Sequence, residues 1–198
     1  MSDEAAQFGE RKYAVVRNLI SEADASVISR YMEYALRGAL YTDRGGGPLP
    51  DDPSKYARYA DPLTEVMLVD SRGAVEAVVG KELLPTYSYS RVYVEGDELE
   101  RHVDRPSCEY SVTVNVACDG EPWPIWMQDG DAEPTKVTLN PGDAVIYKGC
   151  EVHHWRSKMT RSRVNAQFML HYVDKNGPFT EYEWDKRSGA GYPSVWRS

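Results

Sequence analysis

The hydrophobic period of the chain changes at Leu84, and that change limits the folds open to it. From there on apolar residues recur at every second position, in short segments broken by Gly, Pro, Asp or Asn. Successive side chains of a strand point to opposite faces, so a period of two predicts half-buried β-strands. The segment YSYSRVYV, residues 87–94, puts Tyr87, Tyr89, Arg91 and Tyr93 on one face and Ser88, Ser90, Val92 and Val94 on the other. A turn at Glu95-Gly96-Asp97 follows, then strand-like segments at 110–117, 124–128, 135–139, 143–148, 151–156 and 163–173. Within the first of these, Val112, Val114 and Val116 face one layer while Ser111, Thr113 and Asn115 face the other. Short strands at this spacing predict a sandwich or barrel.

The first third has a different period. Residues 13–17 fit a strand. Ser21 then stands at capping-box spacing from Asp24, and Ala23, Val27, Ile28, Tyr31, Tyr34 and Ala35 recur at helical spacing from Glu22 to about Leu36. Residues 43–62 are rich in Gly, Pro and Asp and predict a long loop, a candidate lid. A second helix is expected from Pro62 to Val79, ending at Gly80. The expected fold class is therefore α+β, mainly β: a jelly-roll barrel with the N-terminal helices packed on one face. Residues 1–198 form one domain, divided into a helical buttress and loop (1–83), a jelly-roll core with the site (84–174) and a C-terminal extension (175–198) that holds Trp184, Tyr192 and Trp196.

Charge excludes several functions. With 23 Lys+Arg against 31 Asp+Glu, the net charge is −8. Nucleic-acid binding rests on a basic face, so no nucleic-acid partner is expected. Nothing approaches a membrane-spanning apolar run, and the acidic, polar start MSDEAAQFGERK is unlike a secretory signal. Three cysteines, Cys108, Cys118 and Cys150, at no zinc-like spacing point to reduced thiols and a cytoplasmic protein, a monomer or a homodimer. Cys108 has no neighbouring base and receives no catalytic role.

The chemistry concentrates in two stretches. In ERHVDRPSCE, residues 100–109, His102 precedes Asp104 by two, so one strand face can aim an imidazole and a carboxylate at one point. Alone, such a pair is weak. Far downstream, the stretch NPGDAVIYKGCEVHHWR, residues 140–156, takes a Pro-Gly turn into a strand, and a second strand then delivers His153 and His154. Two histidines and one carboxylate bind one face of an octahedral Fe(II) and leave three positions open, whereas a structural zinc site closes the metal with four protein ligands.

These motifs resemble the Fe(II)/2-oxoglutarate-dependent oxygenases, in particular the prolyl-hydroxylase-like branch and its bacterial and phage relatives. YVEGDELERHVD, residues 93–104, is similar to that branch's tyrosine, glycine turn and H-x-D; YKGCEVHHWR, residues 147–156, resembles its distal-histidine strand. The likeness covers roughly residues 84–174. It implies a double-stranded β-helix (cupin-like) barrel, Fe(II) held by His102, Asp104 and His154, and the cosubstrates 2-oxoglutarate and O2. The family places its ligand directly before Trp-Arg, which favours His154 over His153. The distal carboxylate of 2-oxoglutarate needs a bidentate cation. By family pattern this is Arg163, on the strand after the distal histidine, although Asn165 stands where counting back from the strand end puts the basic residue. Arg156 and Arg91 compete with it, and Tyr93 matches the family's cosubstrate tyrosine. His171 is a candidate pocket residue and, more simply, a hydrogen-bonded core histidine.

The implied activity is decarboxylation of 2-oxoglutarate to succinate and CO2 coupled to hydroxylation of an unactivated C–H bond. Family members that halogenate lack the carboxylate, so Asp104 argues against halogenation. The expected substrate is a small polar metabolite, an amino acid or a natural-product intermediate, with Arg105, Asn115 and Tyr89 as candidate contacts; Arg105 has an ion pair with Glu109 as its alternative. Hydroxylation of a peptidyl residue is the runner-up. A non-catalytic cupin-like metal sensor and a zinc- or manganese-dependent enzyme on the same barrel are the other classes.

Overall fold

The structure is a computed structural model that describes residues 2–41 and 56–190. Three helices and ten strands order it. Helix α1 (Asp3–Arg11) starts on Ser2, whose hydroxyl accepts from the Ala5 amide at 3.2 Å, and buries Phe8. It was not expected from the polar N-terminal sequence. Strand β1 (Tyr13–Val16) leads to α2 (Glu22–Tyr41), five residues longer than the periodicity indicated at its C-terminus. Ser21 caps it: its Oγ accepts from the Asp24 amide at 3.1 Å and donates to the Asp24 carboxylate at 2.6 Å. Helix α3 (Pro62–Val79) matches its expected bounds, with Asp61 as N-cap, Pro62 in the first turn and Gly80 in the left-handed conformation at φ 73°.

The strands are β2 (Tyr56–Tyr59), β3 (Leu83–Val94), β4 (Leu99–His102), β5 (Tyr110–Gly120), β6 (Ile125–Asp129), β7 (Thr135–Val137), β8 (Ala144–Lys148), β9 (Val152–Arg156) and β10 (Ser162–Asp174). They form a six-stranded sheet, in the order β1-β8-β5-β10-β3-β2, and a four-stranded sheet, β4-β9-β6-β7. All the strand pairs are antiparallel. This is the expected double-stranded β-helix. One short strand, β2, escaped the sequence reading. Tyr-Ala-Arg-Tyr has no alternation to reveal it and is a strand because it pairs on the edge of β3, so residues 56–59 are not part of the expected loop. Residues 43–55 of the proposed lid lie outside the described residues, as do Tyr192 and Trp196.

Polar and apolar rows sort the two faces of the large sheet. Val92, Val112, Val114, Ile146, Phe168 and Leu170 point outward and pack on Ile28 and Met32 of α2 and Leu68 and Val75 of α3. This is the main core, and the helices buttress it. Inside the barrel the closed end is filled by Tyr13, Ile125, Met127, Val137, Leu139, Val145 and Val152. The open end keeps the polar inner rows of β3, β5 and β10. Residues 175–190 return towards that end: Asp185 accepts hydrogen bonds from Tyr59 Oη at 2.6 Å and Arg105 Nη2 at 3.0 Å, and Arg187 Nη1 meets buried Glu65 at 3.0 Å.

Candidate metal centre

His102 and His154 are cross-strand partners in the β4–β9 ladder. That pairing brings together two residues remote in sequence and sets their ring centroids 4.2 Å apart at a tilt of 54°. The main chain continues the ladder past β4, with the Asp104 amide donating to the Gly149 carbonyl at 2.8 Å, so Asp104 keeps the orientation of His102. Asp104 Oδ1 lies 3.7 Å from His102 Nε2 and 3.4 Å from His154 Nε2. One ligand atom from each of the three residues falls within 4.8 Å of the others.

Hydrogen bonding assigns the tautomers. His102 Nδ1 donates to the Glu100 carbonyl at 2.7 Å, and His154 Nδ1 donates to the Val152 carbonyl at 3.1 Å. In the neutral imidazole each Nε2 therefore offers its lone pair on the side of Asp104, the arrangement by which backbone carbonyls orient metal-binding histidines, whereas in the protonated form it donates there. Asp104 is oriented as well: Ser111 Oγ donates to its Oδ2 at 2.7 Å and accepts from His171 Nδ1 at 3.0 Å. Burial works to raise the Asp104 pKa, but the hydrogen bond from His154, the charges of His154 and His171, and the Ser111 hydroxyl outweigh it and hold the carboxyl below its ordinary range. The donor set fits a divalent ion with nitrogen and oxygen preference and an open coordination side.

A second trio, Asp104, Cys108 and His171, is equally compact. It fits a metal less well. Ser111 Oγ already bridges Asp104 and His171, and burial pushes the Cys108 thiol up to about 11, so it stays a neutral, weak ligand. His153 is on the opposite face of β9 from His154 and pairs in register with Gln128.

The trio opens into a cavity of 260 Å³ between the two sheets. Tyr87, Tyr89, Arg91 and Tyr93 line it from β3, Thr113 from β5, Tyr147 from β8, Arg156 from β9, and Gln167, Met169 and His171 from β10. Arg156 is 3% exposed and makes its contacts to neutral groups: Nη1 donates to the Trp123 carbonyl, Nη2 donates to Gln167 Oε1 at 2.7 Å, and the guanidinium lies 4.8 Å from the Trp123 ring centroid. Burial lowers its pKa to about 10, so it remains a cation at neutral pH. A larger cleft of 430 Å³ runs along Trp123, Trp126, Lys136 and Lys158, away from the metal-binding groups.

Four of the sequence candidates lie elsewhere than expected. Arg163 points to solvent and pairs with Asp119: although its parity is that of the inner row of β10, it stands at the start of the strand, where the pairing with β5 shifts register between Ser162 and Asn165, and it does not line the cavity. Asn115 is buried between the Leu139 carbonyl and Asn165, a structural pairing inside the barrel. Arg105 meets Asp185, not Glu109, and lies 4.8 Å over the Tyr87 ring. Asn165 itself bonds Asn115 and not a cavity group. The sequence singled out neither Tyr147, whose ring lies 4.7 Å from that of His154, nor Gln167. Gln167 stands on the inner row of β10, a signal available from alternation alone.

No family profile and no curated protein matches the chain. Solved structures do. EctD from S. alaskensis with bound Fe superposes at a TM-score of 0.71 and 14% identity, over 88% of this chain and 77% of that one. A Pseudomonas putida prolyl-4-hydroxylase gives 0.61 at 14% identity, over 84% and 96%. The epimerase SnoN in complex with Fe3+, alpha ketoglutarate and nogalamycin RO gives 0.62 at 12% identity, over 86% and 82%. The chain has the fold of the 2-oxoglutarate and iron oxygenases. Within this fold His102, Asp104 and His154 of the present chain lie between the facing sheets.

Proposed function

We propose that the protein is an Fe(II)- and 2-oxoglutarate-dependent dioxygenase that hydroxylates an unactivated C–H bond of a small polar metabolite, an amino acid or a natural-product intermediate. One observation carries this reading. A three-residue donor set with both imidazoles oriented through Nδ1 shares a cavity with a buried arginine that has no carboxylate partner among the described residues. The first suits an open-sided metal, and the second suits the distal carboxylate of a dicarboxylic chelator.

When bound by His102, Asp104 and His154, Fe(II) with 2-oxoglutarate and O2 supplies the oxidising power for C–H chemistry. The chain's own residues do the rest. Arg156 follows His154 by two on the same strand face, so it sits about 6.6 Å further along. That is about the reach of a five-carbon diacid anchored at the metal. Trp123 and Gln167 fix the guanidinium in place. Tyr147 and Met127 pack behind the imidazoles and exclude water from that side. At 260 Å³ the cavity is small for a ligand site, which favours a compact substrate over a peptide.

Anaerobic addition of Fe(II) and 2-oxoglutarate should produce a visible metal-to-ligand charge-transfer band, and aerobic turnover should release succinate. His154→Ala should abolish both. Metal binding without the band would instead favour a non-catalytic metal-binding role.

A further inference from the structure

Arg91 gives the cavity a second cation. It stands on β3, in the sheet that faces the metal trio and Arg156, and its guanidinium lies 4.4 Å from the Tyr93 ring centroid. Its Nε is buried with no hydrogen-bond partner, and among the described residues it has no ion pair. Gln167 is its cross-strand neighbour and accepts from Arg156, so the two guanidiniums flank one amide. Two cations lining one cavity favour the arrival of anions there. The third arginine near the mouth, Arg105, is already neutralised by Asp185.

Charge bookkeeping then points to the substrate. On the reading above, a divalent ion and Asp104 leave +1, and Arg156 and Arg91 raise that to +3. 2-Oxoglutarate brings −2. One positive charge is left, and it belongs to Arg91, on the wall opposite the metal. We infer that the substrate carries a carboxylate, bound by Arg91, and that this contact sets specificity. Arg156 serves the cosubstrate because it shares a strand face with His154; Arg91 serves the substrate because it projects from the other sheet. The remaining space admits only a small acid.

This inference rests on the proposed activity, and the experiment separates the two. Wild type, Arg91→Gln, Arg91→Lys and Arg156→Gln are loaded anaerobically with Fe(II) and titrated with 2-oxoglutarate. Arg156→Gln should weaken its binding by about 30-fold or more, and Arg91→Gln by less than about threefold. Succinate release is then measured with a panel of small amino, hydroxy and keto acids, each beside its primary amide. Acids should stimulate wild type and their amides should not. Arg91→Gln should raise KM for the active acid at least about tenfold, with Arg91→Lys between. Equal stimulation by acid and amide, no stimulated acid, or loss of 2-oxoglutarate binding in Arg91→Gln as large as in Arg156→Gln would each overturn the assignment. Failure of wild type to bind 2-oxoglutarate at all would overturn the proposed activity instead.

Discussion

Asp104 shows how much one carboxylate is asked to do. Its Oδ1 faces both imidazoles, while its Oδ2 is taken by Ser111. The hydroxyl has one proton to give, so it relies on His171 as donor to its own oxygen. Burial keeps His171 neutral, lowering its pKa to about 4. The sign of the resulting pH dependence follows. Between pH 6.5 and about 4 the unfolded chain protonates this histidine and the folded chain does not, so acid favours unfolding in that window. The effect of one such buried group is roughly 3 kcal/mol across the window. Denaturant unfolding of metal-free protein should therefore lose stability steadily from pH 6.5 to 4.5, and His171→Gln should flatten that slope. An unchanged slope would remove His171 as the cause.

At the scale of elements, the turn between β8 and β9 is what holds the trio together. Gly149 receives the Asp104 amide on its carbonyl and donates its own amide to the Glu109 carbonyl at 2.9 Å. A Cβ at Gly149 would lie 2.1 Å from the Cys108 carbonyl oxygen, 2.6 Å from Asp104 Oδ2 and 2.7 Å from Ser111 Oγ. Two of those contacts are with the carboxylate and with the hydroxyl that orients it. Gly149→Ala should keep the barrel, seen by circular dichroism, and weaken Mn(II) binding about 10- to 100-fold in a direct titration. Sequence alone could place the helix α3 and the core strands, because their periodicity is local. It could not see β2, because four residues acquire strand character only from an edge supplied by another part of the chain. Arg163 illustrates the same limit. Its place after the distal histidine was legible, but its direction depended on the register shift at the start of β10, between Ser162 and Asn165.

For the molecule as a whole, the site and the core are separate. The helices and the outward rows of the large sheet make the main core, while the candidate trio sits inside the barrel on the small sheet, across the cavity from the inner face of the large one. Metal is thus expected to add stability to an already folded protein. At 100 times the dissociation constant the gain is about 2.7 kcal/mol, which for a chain of this size corresponds to roughly 5–10 °C in Tm. Thermal unfolding with Mn(II) should show that rise, and His154→Ala should erase it. No helix among the described residues is long and apolar enough to cross a membrane.

By itself the sequence determined the class of the fold and the helical buttress, and it marked His102, Asp104 and His154 as candidates that the structure brings together, because periodicity and short motifs are properties of neighbouring residues. Only the tertiary structure decided which arginines face the cavity. That choice depends on strand pairing between distant segments and on which groups already hold a counter-charge: Asp119 takes Arg163 and Asp185 takes Arg105, leaving Arg156 and Arg91 inside.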